Sequence, residues 1–362
     1  MKQWLETREV LDFLARVRAG GQRAALATVV RVRGSAYRHE GAKLVVAEDG
    51  GSAGNVSGGC LEQDVREVAL QVIRSGTSQF RTYCSSADEI EAWDLGVGCE
   101  GRVDVYVERA DVRSRERELL DGRVPFAVCT LLLEKGERGE GRGSIVTRER
   151  VDGDLGSEEL NMLATAKAYE LLETGESGMH EVAGRSVFFD VLIPPPQLIV
   201  LGAGDDARPL VRFATDVGFR VVVVDRRPGV LTRERFPTAA GLIESGGDDL
   251  GHGLAFDADC YAIVMNHNFA DDQAYLRALL KTSVAYIGML GPRQRTDRML
   301  RNLAAEGPTD ETRVYGPVGL DIGTDGAEQV ALAVIAEILA VRSGRRARSL
   351  RERQAPIHAP AD

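Results

Sequence analysis

Apolar positions along this chain follow two periods, and the change between them divides it in two. Over residues 8–18, Val10, Leu11, Leu14 and Val17 fall at helical spacing. Residues 24–32 and 44–47 are apolar, β-branched runs that predict strands, the second closed by the turn Asp49-Gly50-Gly51. A glycine-rich stretch, 54–59, leads into a predicted helix over 60–73, whose Leu61, Val65, Val68 and Val72 share one face. Strands are predicted at 79–84 and 102–108, the latter with Val103, Val105 and Val107 alternating, and a second glycine-rich loop, 94–101, lies between them. Residues 126–134 and 144–147 predict a hairpin joined by a charged, solvated loop. A helix over 161–172 and a strand over 187–193 follow.

Pro194-Pro195-Pro196 is a stiff connector, because proline fixes φ and removes a backbone donor. Beyond it, buried-type strands at 198–201, 220–225, 262–266 and 285–287 alternate with helices at 209–217, 272–281, 293–303 and 327–341. That succession predicts a parallel sheet covered on both faces. The expected architecture is α/β. An N-terminal mixed α+β domain (residues 1–193) precedes a C-terminal Rossmann-type doubly wound parallel sheet (194–342), and the arginine-rich, then Pro/Ala-rich tail (343–362) is expected to be disordered.

The length of 362 residues suits two domains, since one core rarely grows beyond about 250–300 residues. A net charge of −10 argues against nucleic-acid and membrane-surface partners. No apolar run reaches the roughly 18 residues needed to span a bilayer, and the N-terminus has no apolar signal core, so a cytoplasmic protein is expected. The five cysteines are odd in number and none are spaced C-x-x-C, which argues against a disulfide framework or a structural zinc site and leaves any other metal undetermined.

The sharpest motif is Gly202-Ala-Gly204-Asp-Asp-Ala207, which follows a strand and opens a helix. Gly202 permits the tight turn, Gly204 lets a pyrophosphate approach the backbone, and Ala207 allows close helix–strand packing. The helix N-terminus offers free N–H groups to an anion. Asp225, ending the next strand, stands at the spacing of a ribose-hydroxyl acceptor. Asp205 and Asp206 oppose an anion there, while Arg226 and Arg227 leave room for a 2′-phosphate, so the turn alone does not choose its nucleotide. His267, after the third strand, and Arg293 and Asp321, in later strand-to-helix turns, are further candidate ligand contacts at strand carboxyl ends. In the N-terminal half, Ser57-Gly58-Gly59-Cys60-Leu-Glu62 places a thiol where a helix is expected to begin, which favours the thiolate. Cys99, in the second glycine loop, repeats the theme. Cys84, Cys129 and Cys260 sit in or beside strands and read as packing residues. With only five histidines, no H-E-x-x-H and no Ser/His/Asp set, nothing suggests a hydrolase.

Together these motifs resemble the xanthine dehydrogenase accessory (XdhC/CoxI-type) family. In the N-terminal part the likeness is carried by Gly34-Ser35 with Arg38, Gly41-Ala42-Lys43, Val56 to Glu62, and Gly98-Cys99. In the Rossmann part it is carried by Pro195 to Gly204, Val224 to Arg227, Tyr286 to Gly291, and Pro317 to Gly323. The chain departs from the family at Asp205, where a histidine is usual, and at Glu100, where the family has glycine. The resemblance implies a maturation factor that binds molybdenum cofactor (molybdopterin or its dinucleotide form), assists its sulfuration, and inserts it into a molybdenum hydroxylase. The implied partners are an apo molybdenum hydroxylase and a cysteine desulfurase. Cys60 and Cys99 become candidates near the dithiolene, Ser57, Gly58, Gly59 and Glu62 further candidate cofactor contacts, and the Rossmann turn a candidate for the phosphate or dinucleotide end. A homodimer is expected. The competing reading is an NAD(P)-dependent oxidoreductase, which uses the Rossmann turn but leaves both thiol loops idle; a purely structural interaction protein leaves all the motifs unexplained.

Overall fold

The computed structural model describes residues 2–34, 36–84, 101–111, 113–133, 142–251, 254, 256–308 and 310–354. The described chain forms two compact units, Lys2–Pro194 and Pro195–Gln354.

The first unit is built on two antiparallel sheets. Strands β1 (Ala24–Gly34), β2 (Lys43–Ala47), β3 (Ser52–Gly54), β4 (Gln79–Cys84) and β5 (Gly101–Arg109) form one, in the order β3-β2-β1-β5-β4. Strands β6 (Phe126–Leu131), β7 (Gly143–Val146), β8 (Val151–Asp154), β9 (Gly178–Val182) and β10 (Arg185–Leu192) form the other, in the order β8-β7-β6-β10-β9. Helix α2 (Glu62–Ser75) covers the outer face of the first sheet: its Val65, Val68, Ala69 and Val72 pack on Ala25, Ala27, Val29, Val105 and Val107. Gly76 ends the helix in the left-handed region, with its N–H on Val72 O. Helix α1 (Lys2–Ala19) puts Trp4, Val10, Leu11 and Leu14 into a core shared with Leu26, Val45, Phe126 and Leu192, so both sheets contribute to it. The connection between β5 and β6 contains a short helix, α3 (Ser114–Gly122), whose Leu119 and Leu120 join that core. Helix α4 (Glu158–Thr174), capped by Ser157, covers the second sheet through Leu160, Ala164, Ala168 and Leu171.

A buried ion pair ties the two sheets together. Lys43 Nζ on β2 lies 2.5 Å from Asp190 Oδ2 on β10, and both side chains are nearly inaccessible. Thr7 and the carbonyl of Gly41 take further Lys43 protons, and Gln3 donates to Asp190 Oδ1 at 2.7 Å. Gly41-Ala42-Lys43 is thus part of the frame.

The second unit is a six-stranded parallel sheet of β11 (Gln197–Leu201), β12 (Arg220–Asp225), β13 (Gly241–Glu244), β14 (Cys260–Val264), β15 (Tyr286–Met289) and β16 (Val314–Tyr315), in the order β13-β12-β11-β14-β15-β16. This is the strand order of the Rossmann fold, reversing between β11 and β14. Helices α5 (Ala207–Asp216) and α8 (Ala327–Arg342) cover one face, and α6 (Phe269–Leu280) and α7 (Arg293–Ala304) the other.

Several elements escape the hydrophobic pattern. Helix α1 starts at Lys2, ahead of the periodic residues. The strands β3, β8, β13 and β16 are two to four residues long and half-exposed or exposed, so they carry no alternation. Within the C-terminal tail, Leu350–Glu352 forms a 3₁₀ turn, and residues 355–362 lie outside the described residues.

Candidate functional site

Each unit contains a cluster of sequence candidates. In the first unit the chain leaves β3 and folds into a compact knot around the hydroxyl of Ser57. Ser57 Oγ donates to Glu62 Oε2 and accepts from the N–H groups of Gly59 and Leu61, each at 3.1 Å. Glu62 Oε1 accepts in turn from the backbone N–H of Ser57 at 2.8 Å and of Val56 at 3.3 Å. Partial burial pushes the Glu62 carboxyl up, but the Ser57 hydroxyl and these N–H groups outweigh it and hold the group below its ordinary range.

The knot changes the expected place of the thiol. Helix α2 begins at Glu62, with Leu61 as its N-cap, so Cys60 lies two residues before the helix instead of in its first turn. Ser57 and Glu62 take the N–H groups of Val56, Ser57, Gly59 and Leu61 on either side of Cys60. The thiol, half-buried, sits 3.6 Å from Ser57 Oγ. Gly58 and Gly59 are exposed. Gly59 has φ +116°, a conformation suited to glycine, and open space where a side chain would be. Over Gly58 lies the ring of Tyr37, 3.4–3.7 Å from where a Cβ would stand, with 71% of the residue exposed. Sequence reading missed Tyr37, since a lone aromatic 21 positions from Gly58 carries no local signal. Cys99 and its loop lie outside the described residues. Of the remaining cysteines, Cys84 is exposed at the end of β4, while burial pushes the thiols of Cys129 and Cys260 up to about 12.

In the second unit the glycine turn meets the end of β14. An added Cβ on Gly202 would stand 2.5 Å from the carbonyl oxygen of Met265, so only glycine fits between these strands. Gly204 is different: the atom facing it is Asp206 Oδ1, 2.5 Å from its hypothetical Cβ. The carboxylate thus covers the backbone that a pyrophosphate would approach. Asp206 Oδ2 is 2.7 Å from His267 Nε2, and the pair bridges the two loops at the strand-order reversal. His267 has φ +59°, an uncommon conformation for a residue with a side chain. Asp205 points away, 3.1 Å from the Arg235 guanidinium.

Asp225 is fully buried and occupied. Its Oδ2 accepts from Ala203 N–H and Arg227 Nη2, both at 2.8 Å, and its Oδ1 from the N–H and Nε of Arg227, both at 2.9 Å. Burial pushes this carboxyl up, yet the Arg227 and Ala203 bonds hold it below the ordinary range. The expected ribose acceptor instead fastens the glycine turn to β12, with no oxygen left unpaired. Arg293 is exposed at the start of α7, and Asp321 is exposed in the loop before α8; among the described residues neither has an ion pair. The structure brings Gly202, Gly204, Asp225 and His267 into one neighbourhood and joins neither Arg293 nor Asp321 to it by any hydrogen bond or ion pair.

Two family models match the chain: the "XdhC and CoxI family" over residues 17–84 and the "XdhC Rossmann domain" over 198–338. A Bacillus subtilis protein described as a probable xanthine dehydrogenase subunit is 30% identical over 334 residues, covering 89% of this chain and 94% of its own. The chain belongs to the XdhC and CoxI family. Another relative, the molybdenum cofactor insertion chaperone PaoD of Escherichia coli, is 25% identical over 92% of this chain and 88% of its own. A crystal structure described as a xanthine dehydrogenase from Bacillus halodurans superposes with a TM-score of 0.76 at 30% identity, covering 94% of this chain and 98% of that one.

Proposed function

We propose that this XdhC-family chain is a maturation factor that binds molybdenum cofactor as its cargo, assists its sulfuration, and helps insert it into a molybdenum hydroxylase of the xanthine or carbon monoxide dehydrogenase type. The observation that carries this reading is likeness along almost the whole chain to a relative described as a molybdenum cofactor insertion chaperone. The Ser57–Glu62 knot supports it. A half-buried thiol beside two exposed glycines leaves room for a bulky sulfur-rich ligand, and the knot holds that thiol without consuming it. Its partners in this role are the apo-hydroxylase and a cysteine desulfurase, and its setting is the cytoplasm. The cargo is molybdopterin or its dinucleotide form. The test is direct: protein loaded with molybdenum cofactor should restore activity to an apo molybdenum hydroxylase, and failure to bind or transfer the cofactor would overturn the reading.

The Rossmann strand order favours a second reading, an NAD(P)-dependent oxidoreductase. Asp206 against Gly204 and the saturated Asp225 weigh against it, because both conventional contacts of the nucleotide are taken by the protein itself. Titration with NADH and NADPH, followed by nucleotide fluorescence, separates the two: micromolar binding would revive the oxidoreductase.

A further inference from the structure

The second unit contains a cavity of about 190 Å³ that none of the expected cofactor contacts uses. Leu210 of α5, Ile263 and Met265 at the end of β14, Leu290 after β15, and Val330 and Val334 of α8 form its wall. Among the described residues, Asp206 is the only polar one lining it. The cavity opens at the carboxyl ends of β11 and β14, where the strand order reverses and where open α/β sheets take their ligands. At its mouth His267 holds the Asp206 carboxylate at 2.7 Å, from a left-handed backbone conformation that persists only where its surroundings over-determine it.

Size and charge select the occupant. An apolar cavity of roughly 150 Å³ holds benzene, so this one has room for a single ring with a short substituent. An apolar wall penalises any buried polar atom without a partner. The polar end of a ligand must therefore meet Asp206, which accepts hydrogen bonds and repels anions. We propose that the second unit binds a small arylalkylamine, ring in the cavity and ammonium on Asp206, with His267 as a positioning residue for the carboxylate. The proposal does not depend on the molybdenum cofactor reading.

The test uses the full chain labelled at its methionine methyls, titrated separately with benzylamine, toluene and benzoate. Benzylamine should shift the Met265 methyl and saturate with a Kd of about 1 mM or tighter, and benzoate should bind at least roughly tenfold more weakly. Asp206→Asn should weaken benzylamine about tenfold and leave toluene unchanged; His267→Ala should weaken benzylamine selectively in the same way. Ala331 of α8 also lines the cavity, so Ala331→Leu, which fills it, should abolish the shift for both benzylamine and toluene. Equal binding of benzoate and benzylamine, no saturable shift with benzylamine, or full benzylamine affinity in Ala331→Leu would each overturn the proposal. If Ala331→Leu fails to fold, the Asp206→Asn comparison decides: an unchanged benzylamine affinity there refutes it.

Discussion

Ser57→Ala removes a single oxygen on which the candidate thiol loop depends. That oxygen donates to the ionised Glu62 and accepts from the N–H groups of Gly59 and Leu61. A hydrogen bond to a charged group contributes about 1.5–3 kcal/mol, and a buried N–H left unpaired costs a similar amount. The Leu61 amide is buried, so it cannot turn to water. Because the contacts share one atom they do not add in full, and the expected loss is about 3 kcal/mol, on the order of a hundredfold in the local opening equilibrium. Amide hydrogen exchange followed by mass spectrometry reads this directly. Peptides covering 56–65 should exchange about a hundredfold faster, and those of the Rossmann unit should not change. Glu62→Gln should open the same segment to a lesser degree, and adding it to Ser57→Ala should contribute little more. Exchange within about twofold of the parent protein would refute the knot as described.

Other consequences can be measured separately. Lys43→Met strands the buried Asp190 charge and should cost about 3–5 kcal/mol, seen as a lower melting temperature; Asp190→Leu in the same chain should recover most of it. Asp104 is fully buried, and although burial pushes its carboxyl up, Thr82 and Arg31 hold it below the ordinary range. Its stabilising contribution is therefore complete above the unfolded value of about 4 and is lost as pH falls through the folded one, so Asp104→Asn should flatten the acid limb of a melting-temperature profile. Asp206→Gly uncovers the Gly204 backbone and should raise affinity for ADP, measured by calorimetry, relative to the parent; no gain would mean that Asp206 is not what closes the turn.

Elements whose pattern repeats are legible in the sequence. The alternation Val103-Val105-Val107, the face of α2 and the strand–glycine–helix succession after Pro196 each depend on residues close along the chain. What is not legible depends on distance along the chain or on side-chain geometry. Asp206 and His267 are 61 positions apart, and nothing in either loop announces that they meet. Asp225 stands at the right spacing for a ribose contact, but Arg227, two residues on, folds back and takes both oxygens. Cys60 reads as a first-turn residue because Leu61, Val65, Val68 and Val72 share a helical face. The Ser57–Glu62 bonds, local but dependent on side-chain geometry, delay the helix to Glu62. Helix α3 has charged residues at five of its nine positions and no apolar period, and the burial of Leu119 and Leu120 against α1 and Phe126 explains it.

As proposed above, this chain carries molybdenum cofactor to a hydroxylase. The protein, mixed anaerobically with the cofactor and passed through gel filtration, should retain pterin, detected by fluorescence after oxidation, and should then activate an apo molybdenum hydroxylase. Cys60→Ala should lose retention while its circular dichroism stays unchanged. Pterin absent from the protein fraction, together with an apo-enzyme that remains inactive, would contradict the account.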